Sequence, residues 1–84
     1  MAKNVFVIKE FDEFGGVTIY PMVFTTVKAA LEEAHQIALD KFSQYLMKKV
    51  YVIKGEDTVE VERIDVRPYQ TIRRFDIDDW ILFD

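Results

Sequence analysis

Apolar positions along this chain alternate between two periods, and the switch between them predicts the order of elements. Asn4 to Lys9 (NVFVIK) is β-branched and aromatic, the composition of a strand. Val5 and Val7 point one way, and Phe6 and Ile8 the other. Neither face then looks solvated, which predicts a central strand or a face in a subunit contact. Glu10 to Gly16 (EFDEFGG) reads as a turn, with Gly15-Gly16 supplying the positive φ of a hairpin. Val17 to Phe24 (VTIYPMVF) reads as the return strand. Pro21 lacks a ladder donor, so an edge position or a bulge is expected there.

From Thr25 to Lys49 the period becomes helical. Val27, Leu31, Ala34, Ala38, Phe42 and Tyr45 fall on one face, and Glu32, Glu33, Gln36, Asp40, Ser43 and Gln44 on the other. Thr25 or Thr26 suits the N-cap, since a hydroxyl there accepts from an orphan backbone N–H. Lys48 and Lys49 suit the negative end of the macrodipole. The chain then returns to strand at Val50 to Lys54 (VYVIK) and turns at Gly55 to Asp57. It continues as strand from Thr58 to Val66 (TVEVERIDV), where the alternation slips phase and predicts a bulge near Glu62–Arg63. Thr71 to Ile77 reads as a fifth strand. Trp80 to Phe83 is too apolar for a loose tail and is expected to dock on the core or on a neighbour.

The expected fold is therefore α+β: residues 1–84 as a single domain. One mainly antiparallel sheet of four or five strands, in the order ββαββ(β), carries one long helix on one face. Phe6, Ile8, Tyr51 and Ile53, or their neighbours, are expected to make the opposite face apolar enough for a homodimer. VFVIK and VYVIK differ at one position of five, which reads either as a duplicated hairpin joined by the helix or as two similar strands.

Composition narrows the function classes. There is no cysteine, which excludes disulfides and thiolate metal sites and fits a reducing cytoplasm. No stretch has the length of a membrane span and the N-terminus lacks a signal-peptide pattern, so a cytoplasmic protein with no membrane partner is expected. Net charge is −4, the wrong sign for direct, non-specific nucleic-acid binding. Seven Phe, four Tyr and one Trp are generous for 84 residues and suggest aromatic side chains at an interface.

Few residues suggest chemistry. His35 is the only histidine, on the flank of the helix, and Ser43 lies about 12 Å along the axis from it, too far for a nucleophile–base pair. Asp76, Asp78 and Asp79 lack the glycine and distal glutamate of a calcium loop. No catalytic residue, metal site or cofactor is therefore assigned, and the chain reads as no enzyme. Two binding sites are candidates. Phe11, Phe14, Trp80 and Phe83 suit either a protein partner, as binding hot spots, or a cap folded back on the core. Arg67, Tyr69, Arg73 and Arg74, in RIDVRPYQTIRR, could grip phosphate and stack on a base as an anion or nucleotide site. Pairing of those arginines with Glu60, Glu62, Asp65 and Asp76 is the structural alternative.

The VFVIK strand, the glycine-containing turn, a return strand ending VFTT, the KAALEEA helix and the later RRFDIDD resemble a loose group of small uncharacterised proteins from phages, prophages and bacteria. The likeness covers roughly residues 5–46 and 72–79. The VYVIK hairpin departs from the simplest version of that layout. The resemblance implies an accessory protein that acts by binding, for instance as an inhibitor of a host or anti-phage defence protein. It supplies no catalytic residue to carry over.

Overall fold

A computed structural model describes residues 2–83. The elements follow one another as β1 (Ala2–Asp12), β2 (Val17–Ile19), α1 (Val27–Lys41), β3 (Val50–Lys54), β4 (Thr58–Arg63) and β5 (Gln70–Phe83). The five strands form one antiparallel sheet in the order β2-β1-β5-β4-β3, and α1 packs on one face. The α+β class and the ββαββ(β) order expected from the pattern are the ones observed.

β1 and β5 form the spine. They pair along all of β1, from Ala2 opposite Phe83 to Asp12 opposite Arg73. The register divides the side chains by face. Phe6, Ile8, Phe75, Ile77, Val59, Val61, Val50 and Val52 point toward the helix and join Ala30, Leu31, Ala34 and Ala38 in the core. Ile8, Phe75, Val59 and Val61 are inaccessible to solvent there. Val5, Val7, Lys9 and Phe11 point the other way, with Arg74, Asp76, Asp78 and Trp80 opposite them.

The register revises the predicted dimer face. Phe6 and Ile8 lie under the helix, whereas Tyr51 and Ile53 lie on the open face. VFVIK and VYVIK therefore present matching residues to opposite sides. The first is an inner strand and the second an edge strand.

Boundaries differ from the pattern for identifiable reasons. The helix begins as expected, with Thr26 Oγ1 accepting from the Ala29 N–H at 3.1 Å. It ends at Lys41, eight residues before Lys49. Phe42 leaves helical geometry, and the carbonyl of Tyr45 accepts from the N–H groups of Lys48, Lys49 and Val50 in a compact reversal. Met47 there adopts a positive φ of 65°. β2 stops at Ile19, before Pro21; the Tyr20 N–H still donates to the Ile8 carbonyl, and the chain next meets β1 at Phe24, which exchanges backbone bonds with Phe6. The bulge falls between Val61 and Glu62. β5 runs on through Trp80 to Phe83, so that segment is a strand of the sheet with its side chains largely exposed.

Candidate functional site

Glu10, expected in a turn, lies inside β1 and is, among the described residues, the one charged residue that is buried, 5% exposed. Its two oxygens accept from Lys41 Nζ at 2.7 and 2.8 Å and from Arg73 Nε at 3.0 Å, and the Tyr20 hydroxyl also donates to it. Arg73 additionally lies over the Phe42 ring, 5.8 Å from its centre. Burial pushes the Glu10 carboxyl up, but the bonds from Lys41 and Tyr20 and the charges of Lys41 and Arg73 outweigh that and hold it below the usual range. Burial and donation to Glu10 raise Tyr20; Lys41 is lowered by burial but raised more by Glu10. Every oxygen of Glu10 is satisfied by a side chain from another segment. This cluster fastens the end of α1 to the sheet.

The hairpin between β1 and β2 is built by Asp12. Its carboxylate accepts from the N–H groups of Phe14 and Gly16, both at 2.8 Å, and these bonds lower its pKa. Gly15 takes φ 87°, which favours glycine, and a Cβ on Gly16 would press on the Asp12 carboxylate that holds the turn. With the turn so fixed, Phe14 is 88% exposed at its tip. Phe11 is half-buried on the open face opposite Val17, and Ile19 lies opposite Lys9 on that same face. Val17 and Ile19 are both exposed.

The other two aromatics of the predicted partner site lie elsewhere. Trp80 is on the open face opposite Val5, its indole N–H donating to Asp78, which also pairs with Lys9 at 3.1 Å. Those two partners lower the Asp78 pKa. Phe83 is opposite Ala2 at the far end of β1. Nine residues of strand separate Ala2 from Phe11, roughly 30 Å. Phe11 and Phe14 thus form one patch, and Trp80 and Phe83 another at the opposite end of the molecule.

The four residues of the predicted anion site are also divided. Arg73 faces the helix side and Glu10. Arg74 is on the open face and makes a two-pronged contact with Asp76, at 2.7 and 2.9 Å. Arg67 and Tyr69 remain together in the β4–β5 connection, with the guanidinium 4.9 Å from the ring centre. Tyr69 lines a groove of about 350 Å³ with Tyr51, Ile53, Glu62 and Ile64, which is apolar apart from Glu62. Asp76 and Asp78 face one side of β5 and Asp79 the other. Among the described residues no three His, Cys, Asp or Glu side chains gather as a metal site would require, and no helix is long and apolar enough to cross a membrane.

Residue pattern missed Glu10, since a lone acid after a strand looks like a turn. A signal was available in its i+2 phase with Phe6 and Ile8, which places it on the core face. Comparison with protein-family models, with curated proteins and with solved structures gives no match.

Proposed function

We propose that this protein is a non-enzymatic protein-binding module that offers the β1–β2 hairpin to its partner. The observation that carries this reading is the hairpin's surface. Phe14, Val17 and Ile19, 88%, 54% and 48% exposed, stand beside Phe11 on a turn held rigid by Asp12. An aromatic anchor on a pre-ordered turn loses little entropy on binding, which is the usual setting of a hot spot. The resemblance to small phage and prophage proteins favours a host or anti-phage defence protein as the target. A nucleotide ligand on Arg67, Tyr69, Arg73 and Arg74 has less support, because Arg73 and Arg74 lie on opposite faces and each already holds a carboxylate.

Affinity capture from nuclease-treated bacterial lysate, comparing the wild-type chain with Phe14→Ala/Val17→Ser, tests the reading. The wild type should retain one partner at near-stoichiometric amount, and the double variant should retain about tenfold less. Equal retention by the variant would move the contact off the hairpin. Recovery of the bait alone would remove the binding-module reading.

A further inference from the structure

The β1–β5 ribbon extends past the rest of the sheet. β4 pairs with β5 only as far as Asp76, and one further bond, from the Ile77 N–H to the Asp57 carbonyl, closes that side. Phe6 directs its N–H and carbonyl toward Phe24, away from β5. In an antiparallel ladder the directions alternate, so Val5, Val7 and Lys3 bond toward β5, and Trp80, Asp78 and Leu82 bond toward β1. Asp79, Ile81 and Phe83 are left with outward N–H and carbonyl groups along an open edge. The same segment exposes Trp80, Ile81, Leu82 and Phe83 at 40%, 59%, 42% and 75%. An open edge of this kind, apolar over its last four residues, is a template for another strand.

We propose that the occupant is a second copy of this chain, whose β5 pairs antiparallel with this one about a two-fold axis at Ile81. The edge is self-complementary in that register. Ile81 exchanges both bonds with its counterpart, and Asp79 and Phe83 exchange theirs with Phe83 and Asp79 of the other copy. On the open face each Trp80 stands against a Leu82, an aromatic–aliphatic cross-strand pair made twice. Charge permits it: the two Asp79 residues are four strand positions apart, about 13 Å, beyond the screening length of roughly 8 Å at physiological salt. Asp78 is already paired with Lys9. The copy's Ile77, bonded to its own Asp57, falls beyond Phe83, so the two ladders do not compete.

The four apolar side chains leave roughly 400–500 Å² uncovered per chain, more than scattered surface residues account for. Joining two copies removes at most on the order of 1,000 Å² in total, at the low end of specific interfaces, so the expected association is weak and reversible. The hairpin that the functional reading assigns to a partner lies at the other end of β1, so this inference stands or falls separately from it.

Sedimentation velocity on the full chain, from about 1 µM to about 500 µM, tests the proposal. The expected result is a reversible rise from 9.9 kDa to twice that mass. Ile81→Pro removes only an outward N–H and leaves the bonds between β1 and β5 in place, so it should stay monomeric. Ile81→Glu, which alters no backbone bond, sets two like charges across the axis beside the Asp79 carboxylates of both copies and should stay monomeric too, whether or not the proline variant folds. A wild type that remains at 9.9 kDa throughout, or an association that survives Ile81→Glu, would overturn the proposal.

Discussion

Glu10 draws together three segments that are distant in sequence, bonding to Tyr20 from the connection after β2, Lys41 from the end of the helix and Arg73 from β5. Removing its charge leaves two cations without their shared anion. Glu10→Gln should therefore cost roughly 2 kcal/mol at neutral pH, less than a fully buried pair because Lys41 remains about half exposed. The same cluster sets the acid limb of stability. Its folded-state pKa lies below the ordinary value of 4.5, so its contribution is full above that value and is lost as pH falls through the lower one. Asp12 and Asp78 are lowered as well and add in the same direction. Lys41 and Tyr20 are raised, so their contributions are full below 10.5 and 10.0 and disappear as pH rises through the folded-state values. Urea midpoints across a pH series should fall at both ends, and Glu10→Gln should lower the plateau and flatten the acid limb. A variant with the wild-type midpoint and the wild-type acid limb would show that the cluster does not stabilise the fold.

Among the elements, the helix shows how far local pattern reaches. Its start, its N-cap and its core-facing Leu31, Ala34 and Ala38 follow from periodicity and propensity alone. So do Val50–Lys54 and the existence of both hairpins, because strand composition bounded by glycine and acid is a local signal. The helix end is not local. Residues Phe42 to Lys49 keep an acceptable helical period, but Lys41 is drawn to Glu10 thirty-one residues earlier and the chain turns to enter β3. The length of β5 was hidden for a similar reason. Asp78 and Asp79 break the apolar alternation, and only pairing with β1 makes that stretch a strand. The candidate sites were legible as residue types and not as groupings. Separating Phe11 from Phe83, or Arg73 from Arg74, needs the register. Ala30, Ala34 and Ala38 are all inaccessible to solvent where the helix meets the sheet. No space exists there for a longer side chain, so Ala34→Leu should destabilise by about 1–3 kcal/mol despite leucine's good helix propensity. Thermal melts of that variant beside Lys28→Leu, at an exposed helix position, would separate overpacking from any general effect of leucine.

At the scale of the whole molecule, 84 residues are drawn out to 49 × 22 × 19 Å, with a radius of gyration of 13.9 Å against about 12 Å for a compact chain of this length. The excess lies in the spine, because the helix covers only the middle of it and β2 and β4 flank only part of it. A two-stranded ribbon outside a core is marginal by itself. Its amides should therefore exchange with solvent by local opening, well before the protein unfolds globally. Within the ribbon the register predicts alternation. Trp80 and Leu82 donate into β1 and should be the slower pair, whereas Asp79, Ile81 and Phe83 donate outward and should exchange fastest in dilute solution. If two copies meet along that edge, the outward amides acquire acceptors and their exchange should slow as concentration rises, while Val59 and Phe75 in the core stay unchanged. Hydrogen exchange followed residue by residue at low and high concentration distinguishes this from a loosely tethered ribbon. Uniform exchange from Asp78 to Phe83, with no alternation at low concentration, would mean that β5 does not hold its register against β1 at this end, and the two-fold pairing would lose its template.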